Sequence, residues 1–156
     1  MRSVSRAAHA TGSVLLLIVL TACHANSLRD LSPIVGTWIV KVPEAPFPMH
    51  MFAFHSDGTV QQSNPDAGDP NTSDSAAIGA WQADGDPASG QVKGKIVEFT
   101  ADRATHQLVS RGEIPFTLQV SGDTFHGTCR ASFFDASGRP IREPITATLD
   151  GQRVVP

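Results

Sequence analysis

The chain has 156 residues, with 12 Lys and Arg against 15 Asp and Glu, and two cysteines. Arg2 and Arg6 precede an apolar run; without that leader about 130 residues remain, the size of one ordinary domain, carrying ten basic and fifteen acidic side chains. An acidic domain whose only lysines are Lys41, Lys93 and Lys95 is unsuited to nucleic acid, which rewards clustered Lys and Arg.

Residues 13–20, Ser-Val-Leu-Leu-Leu-Ile-Val-Leu, form the apolar run behind the two arginines. It is far shorter than the roughly 20 residues a helix needs to cross a bilayer, so it predicts a secretory signal rather than a span. Leu20-Thr21-Ala22-Cys23 resembles the bacterial lipobox, whose cysteine is lipidated and becomes the first mature residue. That resemblance implies a signal peptide over 1–22, a lipid anchor at Cys23 that holds the protein at a membrane, a connector over 23–33 and an exported domain over 34–156. Cleavage near Ala25, after a small-x-small pattern, is the other reading and would release a secreted protein. In either case Cys129 is the one cysteine of the folded domain. It has no partner for an intrachain disulfide and reads as a buried, inert thiol.

Beyond the connector, apolar residues recur at every second position, the period of a strand, and no helical periodicity runs longer than two turns. Strands are predicted near 35–42, 49–55, 58–63, 78–83, 91–101, 106–120, 123–134 and 144–155. The clearest alternation puts Leu108, Ser110, Gly112, Ile114, Phe116, Leu118 and Val120 on one face. In the next strand Phe125, Gly127, Cys129, Ala131 and Phe133 share a face. Pro115 lacks an N–H and predicts a bulge or an edge. Ser56-Asp57-Gly58, Asp84-Gly85-Asp86, Ser121-Gly122-Asp123, Asp135-Ala136-Ser137-Gly138 and Asp150-Gly151 read as hairpin turns, the last breaking the final strand. A meander of about eight antiparallel strands leaves two open edges unless its first and last strands meet. The expected fold is therefore all-β, a single antiparallel up-and-down barrel.

Residues 64–75, Asn-Pro-Asp-Ala-Gly-Asp-Pro-Asn-Thr-Ser-Asp-Ser, are polar, acidic and too long for a simple hairpin. Such a loop is a lid, a disordered segment or a calcium site. Asp66, Asp69, Asn71, Ser73 and Asp74 are oxygen ligands, but the run lacks the alternation and terminal Glu of an EF-hand loop.

Val35-Gly36-Thr37-Trp38 opens the first strand, and Arg153 lies three residues from the end. This Gly-x-Trp motif with its late arginine resembles the lipocalins and the wider calycin group of small β-barrels. The resemblance implies that Trp38 closes the bottom of the barrel and packs under Arg153, a favourable guanidinium–indole contact. It also implies an apolar ligand held in a cup. The likeness covers mainly the two ends of the domain, and Gly79-Ala80-Trp81 repeats the short motif. The chain departs from typical lipocalins in having no Tyr, and so no Thr-Asp-Tyr motif.

The expected ligand lining is Trp38, His50, Phe52, Phe54, Phe116, Phe125, Cys129 and Phe133, with small inward residues such as Ser110, Gly112, Gly127 and Ala131 leaving room beside them. His50 shares a face with Phe52 and Phe54, which puts it at the barrel mouth, and Glu98 shares one with Ile96. A His and a Glu in an apolar cup are candidates for acid–base work, which leaves open an isomerase or cyclase acting on a hydrophobic metabolite. Metal ligation is not expected, because His50, His55, His106 and His126 are scattered and the first two point to opposite sides. There is no nucleophile elbow and no phosphate-cradling glycine loop, and no cofactor is expected. A third reading is an envelope interaction module that presents the 64–75 loop and holds no ligand.

Overall fold

The computed structural model describes residues 32–63 and 69–156. The signal segment, Cys23, the connector through residue 31 and residues 64–68 of the acidic loop, Asp66 among them, lie outside the described residues. Nine strands follow in chain order: β1 (Gly36–Lys41), β2 (Met49–Phe54), β3 (Thr59–Ser63), β4 (Thr72–Asp74), β5 (Ala77–Ala83), β6 (Gln91–Asp102), β7 (Leu108–Ser121), β8 (Thr124–Phe134) and β9 (Ile145–Arg153). All pairings are antiparallel. Eight strands close on themselves in the order β1-β2-β3-β5-β6-β7-β8-β9, with β9 returning to β1.

The barrel expected from the alternation is therefore present, and its faces follow the period of two. Along β7, Ser110, Gly112, Phe116, Leu118 and Val120 are buried, and along β8 Phe125 and Cys129. Outward positions such as Thr117, Gln119, His126 and Thr128 are exposed. Four of the turns use glycine at positive φ: Gly58 at 90°, Gly85 at 95°, Gly122 at 59° and Gly138 at 83°. Left-handed backbone at such values costs glycine little. A short 3₁₀ turn, Pro87–Ser89, completes the β5–β6 connection, with the Asp86 side chain accepting from the Ala88 N–H.

Three expectations are corrected. The acidic segment is not wholly a loop, because Thr72, Ser73 and Asp74 form β4 and pair with Asp102, Ala101 and Thr100 beyond the end of β5. Three polar residues carry no period-two signal, and the strand exists because the overhang of the long β6 offers it an edge. Pro115 causes no bulge. Pairing of β7 with β8 lapses at Ile114 and Pro115 and resumes in the same register, Glu113 opposite Ser132 and Phe116 opposite Cys129. The irregularity falls at Thr100/Ala101 instead.

Nor is Asp150-Gly151 a turn. β9 runs straight through it, pairing Asp150 with His126 and Gly151 with Phe125. Glycine stands there because the Phe125 ring occupies the place of its side chain: a Cβ on Gly151 would lie 2.2 Å from Phe125 Cε1 and 2.4 Å from Cζ. That ring is buried against Trp38, 5.0 Å between centroids, and Phe54, 6.4 Å, so it has no space into which to retreat. Gly151→Ala is expected to cost about 1–3 kcal/mol, as overpacking of a filled core does. The check is a lower urea midpoint at unchanged slope.

Candidate ligand-binding cup

One end of the barrel is sealed. Trp38 is fully buried, and its indole N–H donates to the Ile34 carbonyl at 2.8 Å. Arg153 lies over the ring, its guanidinium carbon 4.2 Å from the centroid. It donates to the Val35 carbonyl at 2.8 Å, to the Pro33 carbonyl and to Asp123 Oδ1 at 3.0 Å. This contact also explains Gly36, whose φ is 136°. A Cβ there would meet Arg153 Nη1 at 2.7 Å. Trp38 and Arg153 thus stand as the Gly-x-Trp reading has them. Replacing Arg153 with Lys should lower the unfolding free energy by about 2 kcal/mol, since a point ammonium cannot serve two carbonyls and a carboxylate in one fork. Calorimetric melting measures the loss.

Above Trp38 an aromatic floor fills the barrel. Phe54 is its hub, with ring centroids 6.0 Å from Phe52, 6.2 Å from Trp81, 6.1 Å from Phe116 and 6.4 Å from Phe125. Trp81, from the second Gly-x-Trp, donates its indole N–H to the His55 carbonyl at 3.0 Å. Here small inward positions, Gly127 of the expected gaps among them, are already occupied. A Cβ on Gly94 would meet Phe116 Cζ at 2.4 Å, and one on Gly127 would meet the Thr117 carbonyl at 2.1 Å and Leu118 Cδ2 at 2.7 Å. Gly127 therefore marks a close approach of two strands, not a space. The small residues at these levels let large ones in.

The other end differs. Followed from floor to rim, the inward residues on four strands pass from apolar to polar. They run Phe54, Phe52, His50 on β2; Val60, Gln62 on β3; Val92, Ile96, Glu98 on β6; and Phe116, Ile114, Gly112, Ser110 on β7. On β1, β8 and β9 they stay apolar to the top, with Val42, Phe133 and Ile145 uppermost. His50, Glu98, Ile114, Ala131 and Phe133 are half-buried, and Ile145 is 39 % exposed although it faces inward. The rim is thus polar on β2, β3, β6 and β7 and apolar on β1, β5, β8 and β9, with Ala77 uppermost on β5. From Cys129 to Phe133 the inner face of β8 runs roughly 13 Å of strand, about 10 Å of height once the usual tilt is counted.

Gln62 is 6 % exposed, and its Nε2 lies 3.0 Å from His50 Nδ1. The two side chains share a hydrogen bond whose direction follows the imidazole tautomer. Glu98 lies across the mouth, folded over the bare Cα of Gly112. A Cβ on Gly112 would be 2.9 Å from Glu98 Cγ, 3.1 Å from its Oε1 and 3.2 Å from Phe133 Cε1. Arg142, in the β8–β9 connection, stacks its guanidinium 3.8 Å above the Phe133 ring. Burial pushes the Cys129 thiol up, which keeps it a poor nucleophile.

His50, Glu98, Cys129 and Phe133 therefore share the rim side of the inner face, whereas Trp38, Phe54 and Phe125 belong to the floor, with Phe52 and Phe116 at its top. Gln62 was legible, two places beyond Val60, but a glutamine in a short polar strand draws no notice until His50 is seen beside it. Arg142 comes from a connection without periodicity and gave no signal. In the acidic segment Asp69 Oδ1 accepts from the Asn71 and Thr72 N–H groups, and Asp74 Oδ1 from the Thr100 hydroxyl. Among the described residues no three His, Cys, Asp or Glu side chains come close enough to hold a metal ion. A surface hollow of about 620 Å³ lies outside the sealed end, bounded by Gly36, Ala53, His55 and Asp57. Its Asp57 already accepts from the Thr59 N–H and hydroxyl at 2.8 and 2.7 Å.

Beside the mouth, Asp135 organises the β8–β9 turn. It accepts from the Ser137 hydroxyl at 2.6 Å and from the Ser137 and Arg139 N–H groups. These bonds, the Ser137 hydroxyl first, hold its carboxyl down to about 2. An unfolded Asp titrates near 3.9, so the turn's stabilisation is whole above about that pH and fades as pH falls toward the folded value. Carbon-detected NMR should place the Asp135 midpoint near 2, with the Ser137 and Arg139 amides moving together. A midpoint close to the unfolded value would contradict this.

No known protein family, no curated protein and no solved structure matches the chain.

Proposed function

We propose that this chain is an exported, lipid-anchored barrel of lipocalin-like type that binds a small apolar or amphipathic molecule in its cup. One observation carries the binding reading: a barrel sealed at one end by an aromatic floor, with half-buried inward side chains at the other arranged as a polar and an apolar arc. Inward residues that served packing alone would remain apolar and buried to the top. Pockets for small ligands are mostly apolar walls with a few placed polar groups, and this rim has that composition. His50, Cys129 and Phe133 would touch the ligand directly, with Phe52 and Phe116 beneath it and Trp38, Phe54 and Phe125 as the base. The lipocalin-like assignment is supported by Gly36, Trp38 and Arg153 acting as one unit. Export and anchoring rest on the leader and on Leu20-Thr21-Ala22-Cys23.

A second reading, an isomerase or cyclase working on a hydrophobic metabolite, is favoured by the inward placement of both His50 and Glu98. It needs the same cup. Native mass spectrometry of full-length protein purified from its own host tests the shared requirement. A co-purified small molecule, released on unfolding, is expected. Protein that emerges at its bare mass and takes up no apolar fluorescent probe would overturn the cup as a binding site.

A further inference from the structure

The outside of the barrel is two-sided. Strands β1, β2, β3 and β5 contain no Asp or Glu, in a chain whose acids outnumber its Lys and Arg. The outward positions of this wall and of β6 beside it hold Ile39, Met49, Met51, Ile78 and Phe99, each between 42 % and 58 % exposed. Register joins them into one stripe. Ile39 lies opposite Met51, and Ala53, Gln61, Ile78 and Val97 follow in a single row across four strands, with Phe99 next on the same face of β6. The far wall is polar. β8 stands across the barrel from β3, four strands away in either direction, and shows His126, Thr128 and Arg130 outward beside Thr148 and Asp150 of β9. Single exposed apolar residues are ordinary on a surface, whereas a continuous stripe on an acid-free wall marks a contact surface.

From this we infer that the β1–β6 wall lies against a lipid bilayer, its stripe in the headgroup region and the β8–β9 wall in water. Charge is the first argument. Lys41 is exposed and lies opposite Met49, and Lys93 and Lys95 stand on the same wall, paired with Asp84 and Glu113. Anionic headgroups attract such a wall and repel the acidic remainder. Asp150, opposite Lys41 on β9, is the nearest opposing charge, and it is held 2.7 Å from His126. The acids at the margins, Glu44, Asp57 and Asp74, each already accept hydrogen bonds from the protein. The second argument is where the chain enters. Val35 and Gly36 lead into β1 at the foot of this wall, and Ile39 lies roughly 10 Å of strand beyond Gly36. Eight residues separate Cys23 from Ser32, a reach of at most about 30 Å. An acyl chain at Cys23 therefore enters a bilayer that the stripe can also meet. A second copy of the wall offers its lysines no acid and has no tie to Cys23.

The inference rests on the anchoring reading, and one experiment separates the two. Protein as its host makes it is reconstituted into vesicles of phosphatidylcholine with phosphatidylglycerol, carrying a nitroxide label at Met51→Cys or, on the far wall, at Thr128→Cys. Unsubstituted chain gives the background from Cys129, which is buried. Electron paramagnetic resonance then compares collisions of the label with oxygen, which concentrates in the bilayer, and with a water-soluble nickel chelate. The oxygen-to-nickel ratio is expected to be at least about fivefold higher at Met51→Cys than at Thr128→Cys. Adding Ile39→Glu, opposite the label, should bring the two within about twofold. Equal ratios on a chain that floats with the vesicles overturn the docking wall and leave the anchor standing. A chain that does not float with them overturns the anchor and the docking with it. Spin–spin broadening at Met51→Cys that grows with the protein-to-lipid ratio marks a second copy on the wall and overturns the bilayer as its occupant. The comparison of the two labels decides the question even if the Ile39→Glu chain fails to fold.

Discussion

Arg153 lies on the last strand, yet the carbonyls it satisfies, Pro33 and Val35, precede the first. A barrel closes only if its terminal strands pair, and Trp38 opposite Arg153 is where that happens. The guanidinium therefore does three jobs with one planar fork. It covers the indole that floors the barrel, ties the incoming chain to the closing strand and neutralises Asp123 in the β7–β8 turn. A lysine would supply the charge without the geometry. The rest of the molecule depends on this junction because the aromatic floor is stacked on Trp38. Phe125 packs on the indole and Phe54 on Phe125. Without a fixed base that stack has no bottom.

Much of this could be read from the residues. Period-two alternation over β7 and β8 assigned the correct inner face, because one-residue slips would have put every phenylalanine in water. The turns at Gly58, Gly85, Gly122 and Gly138 were legible, each with Asp or Ser before a glycine that needs left-handed backbone, whereas Ser89-Gly90 was not singled out. Asp150-Gly151 misled for the same reason, since the dipeptide is identical whether glycine is required by its own φ or by a ring from the next strand. Gly112 and Gly127 show a related limit. A small inward residue says that something else comes close, and only the fold says what: a neighbouring strand at Gly127, Glu98 and Phe133 at Gly112. The strand Thr72–Asp74 had no pattern of its own and was invisible before β6 was seen to overhang.

The polar arc has a similar history. Each member was within reach of single-strand reading, as His50 follows from Phe52 and Glu98 from Ile96. Their gathering at one end was not, because up-and-down strands carry the rim alternately at their start and their finish. His50 comes second in β2, Gln62 nearly ends β3, Glu98 lies late in β6 and Ser110 early in β7. A gradient that is regular in space is scrambled along the chain. Among the described residues it marks a region where inward residues break the apolar rule together, and departures of that kind concentrate where a site is built rather than a core.

Placement of that departure is also thermodynamically sensible. A carboxylate sunk among Phe54, Trp81 and Phe116 would lose its hydration with nothing to replace it, at a cost of several kcal/mol. At the rim, half-exposed, Glu98 keeps part of its water and the fold tolerates it. In the proposed cup, Phe52, Phe54 and Phe116 would bound a guest's apolar body from below, and the mixed rim would meet whatever the guest carries at its other end.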